Sequence, residues 1–177
     1  MKALMTAFLS VLYCVSLLQV YAAESVQTAN NGVDISVNSD EFADRYEYSA
    51  PTIRFGSLNE DNGAVIIGRG KSSGNWTPVM IQGYIIYKGD WRRYSSAIFR
   101  GGEQANFKNI DREVVSCRSK PCTMSEGFVI HLTMEQIERH AAEGKLQIQL
   151  RSTNAQKFMI EVPENYLQAL LEVTNGG

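Results

Sequence analysis

Cys117 and Cys122 are the residues whose chemistry is most constrained by their spacing, with four residues between them. In an oxidising compartment such a pair closes into a disulfide, whereas a reducing one keeps two thiols. Redox catalysis usually takes the tighter Cys-x-x-Cys spacing beside a helix N-terminus, and neither condition is met here. The pair therefore reads as a staple. Closing so short a loop removes only about 2 kcal/mol of denatured-state entropy, so its effect is local. It fixes a turn that presents Arg118 and Lys120 as a basic contact loop.

The compartment is read from the N-terminus. Lys2 precedes an apolar run from Ala3 to Leu18, followed by Gln19-Val20-Tyr21-Ala22-Ala23. A basic start, an apolar core and small residues at the exit describe a secretory signal peptide over residues 1–23. The competing reading is an uncleaved anchor, but the core is near the lower limit of spanning length and Gln19 interrupts it. Cys14 leaves with the signal. It follows Val11-Leu12-Tyr13 rather than the small residues of a lipid-attachment site. The expected location is periplasmic or secreted, with no stable membrane insertion after cleavage. The remaining chain carries 16 Lys and Arg against 19 Asp and Glu. That balance lacks the clustered basic face of a nucleic-acid binder, so no nucleic acid is expected as a partner.

Three further patterns invite catalytic or ligand readings. Gly68-Arg69-Gly70-Lys71-Ser72-Ser73-Gly74 ends like a phosphate loop, but Val65 stands where the first glycine belongs. Trp76-Thr77-Pro78 also denies it the helix that should follow, so a glycine-rich turn is expected. His131 and His140 read as surface residues. On one strand, Glu126 and His131 would face opposite ways about 16 Å apart, which excludes an acid–base pair. Two histidines with no clustered carboxylates give no zinc site, and no Gly-x-Ser-x-Gly elbow holds a serine nucleophile. The chain is thus expected to be non-enzymatic, with no catalytic residues, metal or other cofactor. Asn75-Trp76-Thr77 fits the N-glycosylation pattern, which matters only in a eukaryotic secretory pathway.

What remains is the aromatic and arginine set Trp76, Tyr84, Tyr87, Trp91, Arg92, Arg93 and Tyr94. Such residues dominate binding hot spots, and they equally dominate β cores. Tyr84, Trp91, Arg92 and Tyr94, with Arg118 and Lys120 on the stapled loop, are the candidate binding residues.

The elements that must position these residues are mostly strands. Residues 24–40 read as a loose leader with a possible short strand at Val33–Val37; residues 41–177 read as one β-rich domain. Asp61-Asn62-Gly63 predicts a tight hairpin between Ile53–Phe55 and Ala64–Ile67. Lys88-Gly89-Asp90 predicts another between Val79–Tyr87 and Trp91–Phe99, setting Tyr87 opposite Trp91 and Tyr84 opposite Tyr94. Gly127–Leu132 alternates, with Phe128, Ile130 and Leu132 on one side. Thr133 and Gln136 have capping-box spacing for a helix along Met134, Ile137 and Ala141 that stops at Gly144. Strands at Lys145–Arg151 and Lys157–Val162 follow, then a helix from Pro163 that buries Leu167, Leu170 and Leu171. The expected fold is mostly antiparallel β, a sandwich or open barrel of about seven to nine strands, with two short helices in the C-terminal third.

Val114-Val115-Ser116-Cys117, four residues, Cys122, Glu126, a strand, a capped helix, a strand pair and a Pro/Leu helix resemble the C-terminal half of the invasion-associated locus B family. The resemblance extends over roughly residues 112–173. It implies an exported Gram-negative protein with a β-sandwich-like body and a similar Cys-x4-Cys, in some members linked to host interaction. The expected function is a binding module contacting a protein or cell-envelope component. A small apolar-ligand carrier is the alternative, and a hydrolase with a carboxylate pair stands third. Mass spectrometry of the exported product should find a chain beginning at Ala23 or Glu24, two hydrogens lighter than its reduced form. Retention of Met1 would contradict the signal reading.

Overall fold

A computed structural model describes residues 23–57, 60–118 and 121–175. Residues 1–22, on which nearly all of the expected signal peptide 1–23 falls, and Lys120 lie outside the described residues. The fold is mostly antiparallel β, in one open sheet with two helices. Its strands are β1 (Ala23–Thr28), β2 (Asp34–Asp40), β3 (Arg45–Ser49), β4 (Ile53–Phe55), β5 (Asn62–Ser72), β6 (Asn75–Trp76) and β7 (Val79–Lys88). There follow β8 (Tyr94–Phe99), β9 (Gln104–Ser116), β10 (Thr123–Leu132), β11 (Ala141–Ala142), β12 (Lys145–Ser152) and β13 (Lys157–Pro163). The helices are α1 (Met134–His140) and α2 (Glu164–Asn175).

The strand order is β1-β2-β3-β5-β7-β10-β9-β8-β12-β11, with β4 and β6 on β5 and β13 on β12. Strand β9 is the corner of the sheet. Gln104 and Ala105 pair with β8, while residues from Asn106 onward pair with β10. The two halves thus fold over a shared core in a sandwich-like arrangement. That core takes Ile67, Ile81, Ile85 and Phe128 from one half, Phe99, Leu146, Ile148 and Ile160 from the other, and Leu167 and Leu170 from α2.

The stretch expected to be a loose leader is instead an edge hairpin. Strands β1 and β2 pair from Ala23↔Ser39 to Thr28↔Asp34, and β2 pairs onward with β3. Alternation along β2 buries Ile35 and Val37. Helix α2 then holds the hairpin turn, because Glu172 accepts the Asn30 amide at 2.9 Å and the Asn165 carbonyl accepts Asn31 Nδ2 at 2.8 Å. These long-range contacts are invisible in a polar segment read by itself.

Both predicted hairpins need correction. Strands β4 and β5 do pair, with Phe55 opposite Gly63, but Asn62 and Gly63 lie within β5. The chain leaves β4 at Gly56, which has φ 76°, and Asp61 precedes β5. Strands β7 and β8 do not pair at all. Strand β7 is flanked by β5 and β10, whereas β8 lies between β9 and β12. The Lys88–Arg93 connection crosses between the two halves of the sheet, so the expected Tyr87–Trp91 and Tyr84–Tyr94 pairings do not form. Tyr87 instead meets Tyr94 edge to face, with ring centroids 6.5 Å apart.

Of the glycine-rich segment 68–74 expected as a turn, residues 68–72 extend strand β5 and the turn is confined to its end. Strand β5 turns at Ser73 and Gly74, with φ of 48° and 77°, into β6. In the C-terminal third, Thr133 accepts the Gln136 amide and Gln136 accepts the Thr133 amide, completing the capping box of α1. That helix ends at His140, earlier than expected; Gly144, at φ 79°, turns β11 into β12 instead. Pro163 closes β13, and α2 begins one residue later, burying Leu167 and Leu170.

The approach of β5 to β7 demands a glycine. A Cβ on Gly83 would sit 2.3 Å from the Ala64 carbonyl oxygen and 2.6 Å from Val65 Cγ1. Gly83→Ala should therefore force two central strands apart and cost about 1–3 kcal/mol, by analogy with overpacked cores. Urea unfolding checks this; an unchanged midpoint would mean that the strands have slack.

Candidate functional site

Two constellations are candidates for function. One is closed and lies between the halves of the sheet; the other is open on the outer face.

The closed one is built on Glu126. Alternation along β10 turns Met124, Glu126, Phe128, Ile130 and Leu132 inward, and Glu126 is only 1% exposed. A charge taken so far from water must be matched by donors. The Tyr87 hydroxyl donates to Oε1, as does the Arg93 amide at 2.8 Å. The Tyr94 amide donates to Oε2 at 3.0 Å, and Arg112 Nε donates to the same oxygen at 3.2 Å. Arg93 takes a left-handed conformation (φ 57°) at the point where these successive amides meet the carboxylate. Burial alone would push the Glu126 carboxyl up; the donors outweigh it and leave its pKa lowered. Desolvation, reinforced by the Glu126 carboxylate, raises the Tyr87 phenol and keeps it a donor.

Around this pair runs a second layer. Arg92 forks onto Asp61, with Nη2 donating to Oδ1 at 2.8 Å, and its Nη1 also reaches the Tyr94 hydroxyl at 3.2 Å. Its guanidinium carbon lies 4.3 Å from the Tyr87 ring centroid. The Arg92 amide donates to the Tyr87 hydroxyl at 3.0 Å.

The candidate binding residues therefore separate. Tyr94 is 1% exposed and belongs to the core, and Trp91 is half-buried against that core. Arg92 is engaged by Asp61 and Tyr94. None of the three forms a free hairpin tip, because the segment bearing them is drawn inward by Glu126. Arg118 is exposed beside the Cys117–Cys122 disulfide. Tyr84 is the aromatic of the set that faces outward, at 39% exposure. His140, expected on the surface, is instead tucked in. Its ring stacks on Phe99 with centroids 4.2 Å apart, and Nε2 lies 2.9 Å from Glu103 Oε2. With His140, Gln136 and Arg139 around it, the Glu103 carboxyl is held down at about 2. Among the described residues, no group of three His, Cys, Asp or Glu is arranged to hold a metal ion. No helix among them is long and apolar enough to cross a membrane.

The open constellation is a groove of about 1020 Å3 on the outer face of the first half of the sheet. Strand register sets its floor. Directly opposed residues share a face, so Arg54, Ala64, Tyr84, Gly127 and Asp111 form one row across β4, β5, β7, β10 and β9. Tyr84 stands at the middle of this row, between two positions with almost no side chain. Gly127 has to be bare: a Cβ there would lie 2.2 Å from Asp111 Oδ1, which accepts its amide at 3.1 Å. The adjoining row carries Ile66, Gln82, Val129 and Lys108. Ile66 and Ile110, both exposed, also line the groove.

Neither constellation was legible as a unit in the sequence. Glu126 had a signal, since extending the inward parity of Phe128, Ile130 and Leu132 backwards reaches it. The groove row had none, because only the pairing of five strands assembles it. No family model, curated protein or solved structure matches the chain.

A carboxyl whose pKa is depressed on folding stabilises above its unfolded value, and that stabilisation is lost as pH falls through the folded one. Glu126→Ala should cost about 3–5 kcal/mol at neutral pH, because the arginine and amides lose a buried partner. Glu126→Gln should remove part of the acid sensitivity. In urea titrations from about pH 6 to about pH 3, wild type should lose its advantage over Glu126→Gln. Parallel curves would exclude the carboxylate as the titrating group.

Proposed function

We propose that the protein is an exported, non-enzymatic binding module that contacts a protein or envelope component in the periplasm or outside the cell. Its contact surface is the concave outer face centred on Tyr84, with the stapled Arg118 turn as a second contact. The observation that carries this reading is the exposed Tyr84 ring, a large aromatic side chain whose two neighbours along its row, Ala64 and Gly127, have almost no side chain. Aromatic anchors of this kind bury much area at low entropy cost when a partner covers them. The inner aromatic and arginine residues are committed to holding the sheet closed and contribute nothing to such contact.

A carrier of small apolar ligands needs an enclosed apolar cavity. The groove is open to solvent and edged by Arg54, Asp111 and Gln82, which favours surface contact over carriage. A hydrolase would need a carboxylate free to exchange protons with a substrate. Glu126, the one buried carboxylate among the described residues, already receives four donors, which favours a structural role for it.

Immobilised protein should capture a component of a native envelope fraction, and Tyr84→Ala should reduce that capture at least about tenfold. Its stability should stay within about 0.5 kcal/mol of wild type, as for other surface changes. Trp91→Ala, by contrast, should lower the melting temperature. Capture that survives both Tyr84→Ala and Arg118→Ala would overturn the proposal.

A further inference from the structure

We infer that the groove's occupant is a linear saccharide chain, stacked on Tyr84 and hydrogen-bonded along the row from Arg54 to Asp111. This rests on reading the outer face as the contact surface and names what that face takes.

Strand pairing removes the first alternative. Beneath Tyr84, β5, β7 and β10 are each paired on both sides, so their backbone N–H and C=O groups are spent. An extended peptide cannot join this floor as a further strand, and recognition must come from side chains alone. Those side chains are poorly suited to a protein hot spot, which clusters several large anchors in a desolvated pocket. Here one phenol ring stands between Ala64 and Gly127, and Ile66 and Ile110 line the same open groove.

Saccharide chemistry matches that pattern. A pyranose offers an apolar C–H face to an aromatic ring and directs its hydroxyls outward to donors and acceptors. Tyr84 supplies the platform, and the bare positions on either side leave room for rings to lie flat. Arg54 is exposed and has no ion-pair partner among the described residues. Asp111 uses Oδ1 on the Gly127 amide and has Oδ2 left to accept a hydroxyl. Gln82, exposed in the next row, adds an amide able both to donate and to accept. Four strand spacings separate the ends of the row, about 19 Å, which is room for several rings. Opposite charges at the two ends disfavour a uniform polyanion, so the chain is uncharged or amphoteric.

The test is a panel of immobilised linear oligosaccharides, including β-linked glucose, mannose and N-acetylglucosamine oligomers, probed with the full exported chain. At least one should bind. Tyr84→Phe should keep that affinity within about twofold, since the platform needs no hydroxyl, while Tyr84→Ala should lose at least about tenfold. Arg54→Gln should weaken binding without altering the melting temperature. Binding to no panel member, with Tyr84-dependent capture of an envelope protein intact, would overturn the saccharide and leave the contact surface standing. Absence of both would remove the contact surface as well. Equal binding by Tyr84→Ala would show that the ring is not the platform.

Discussion

A carboxylate at 1% exposure forces its surroundings to supply donors, and four of them converge on Glu126. They come from four places in the chain: the end of β7, the residue before β8, the start of β8, and β9. Each donor is thereby fixed relative to β10. The Arg93 and Tyr94 amides matter most for topology, because at that point the chain leaves one half of the sheet for the other. A backbone entering a new strand carries unpaired N–H groups that a buried setting penalises. Glu126 satisfies two of them with one side chain, in place of a neighbouring strand. The left-handed φ of Arg93 is a modest cost against that gain.

The same interaction explains how the aromatic and arginine residues are distributed. Once the Arg93–Tyr94 segment is drawn inward, Tyr94 enters the core and Trp91 packs on its margin. Arg92 is then positioned to fork onto Asp61 and lie over Tyr87. Three residues with hot-spot chemistry become internal parts. The outer face is left to side chains of β5, β7 and β10 that point the other way, where Gly127 and Ala64 leave Tyr84 uncrowded. Closure inside and openness outside therefore follow from one set of strand registers.

The elements with local signatures were readable in the sequence. The α1 capping box, the alternation from Phe128 to Leu132 and the apolar face of α2 depend on spacings of a few residues, and each is present. Readings failed where a distant partner decides. The segment 24–40 is polar enough to pass for a leader until α2 caps its turn. Lys88-Gly89-Asp90 has the composition of a hairpin loop, yet a loop's residues do not record which strand its neighbour will meet. Glu126 is the instructive case between these extremes. Its parity with Phe128 placed it on the core face, but a charged residue at a strand's start is ordinarily taken as exposed, and its donors lie up to 39 residues away.

Aromatic and arginine enrichment therefore points to two opposite outcomes, and strand parity relative to a buried charge selects between them. Tyr84 and Tyr87 sit on one strand three residues apart, so the pleat sends them to opposite faces. Tyr87 is consumed as a donor to Glu126, and its own burial, with the Glu126 charge beside it, holds its phenol protonated. Tyr84 has no such claim on it and meets solvent over a floor of small residues. A one-residue shift of β7 against β10 would exchange the two rings, leaving Glu126 without its hydroxyl donor and the groove without its platform. Gly83 and Gly127 guard against that shift. Each admits a close neighbour, the Ala64 carbonyl in one case and the Asp111 carboxylate in the other, that no side-chain-bearing residue would allow at that place. Gly83 locks the register from the inner row, opposite Val65 and Phe128, while Gly127 both locks it and keeps the outer face open beside Tyr84.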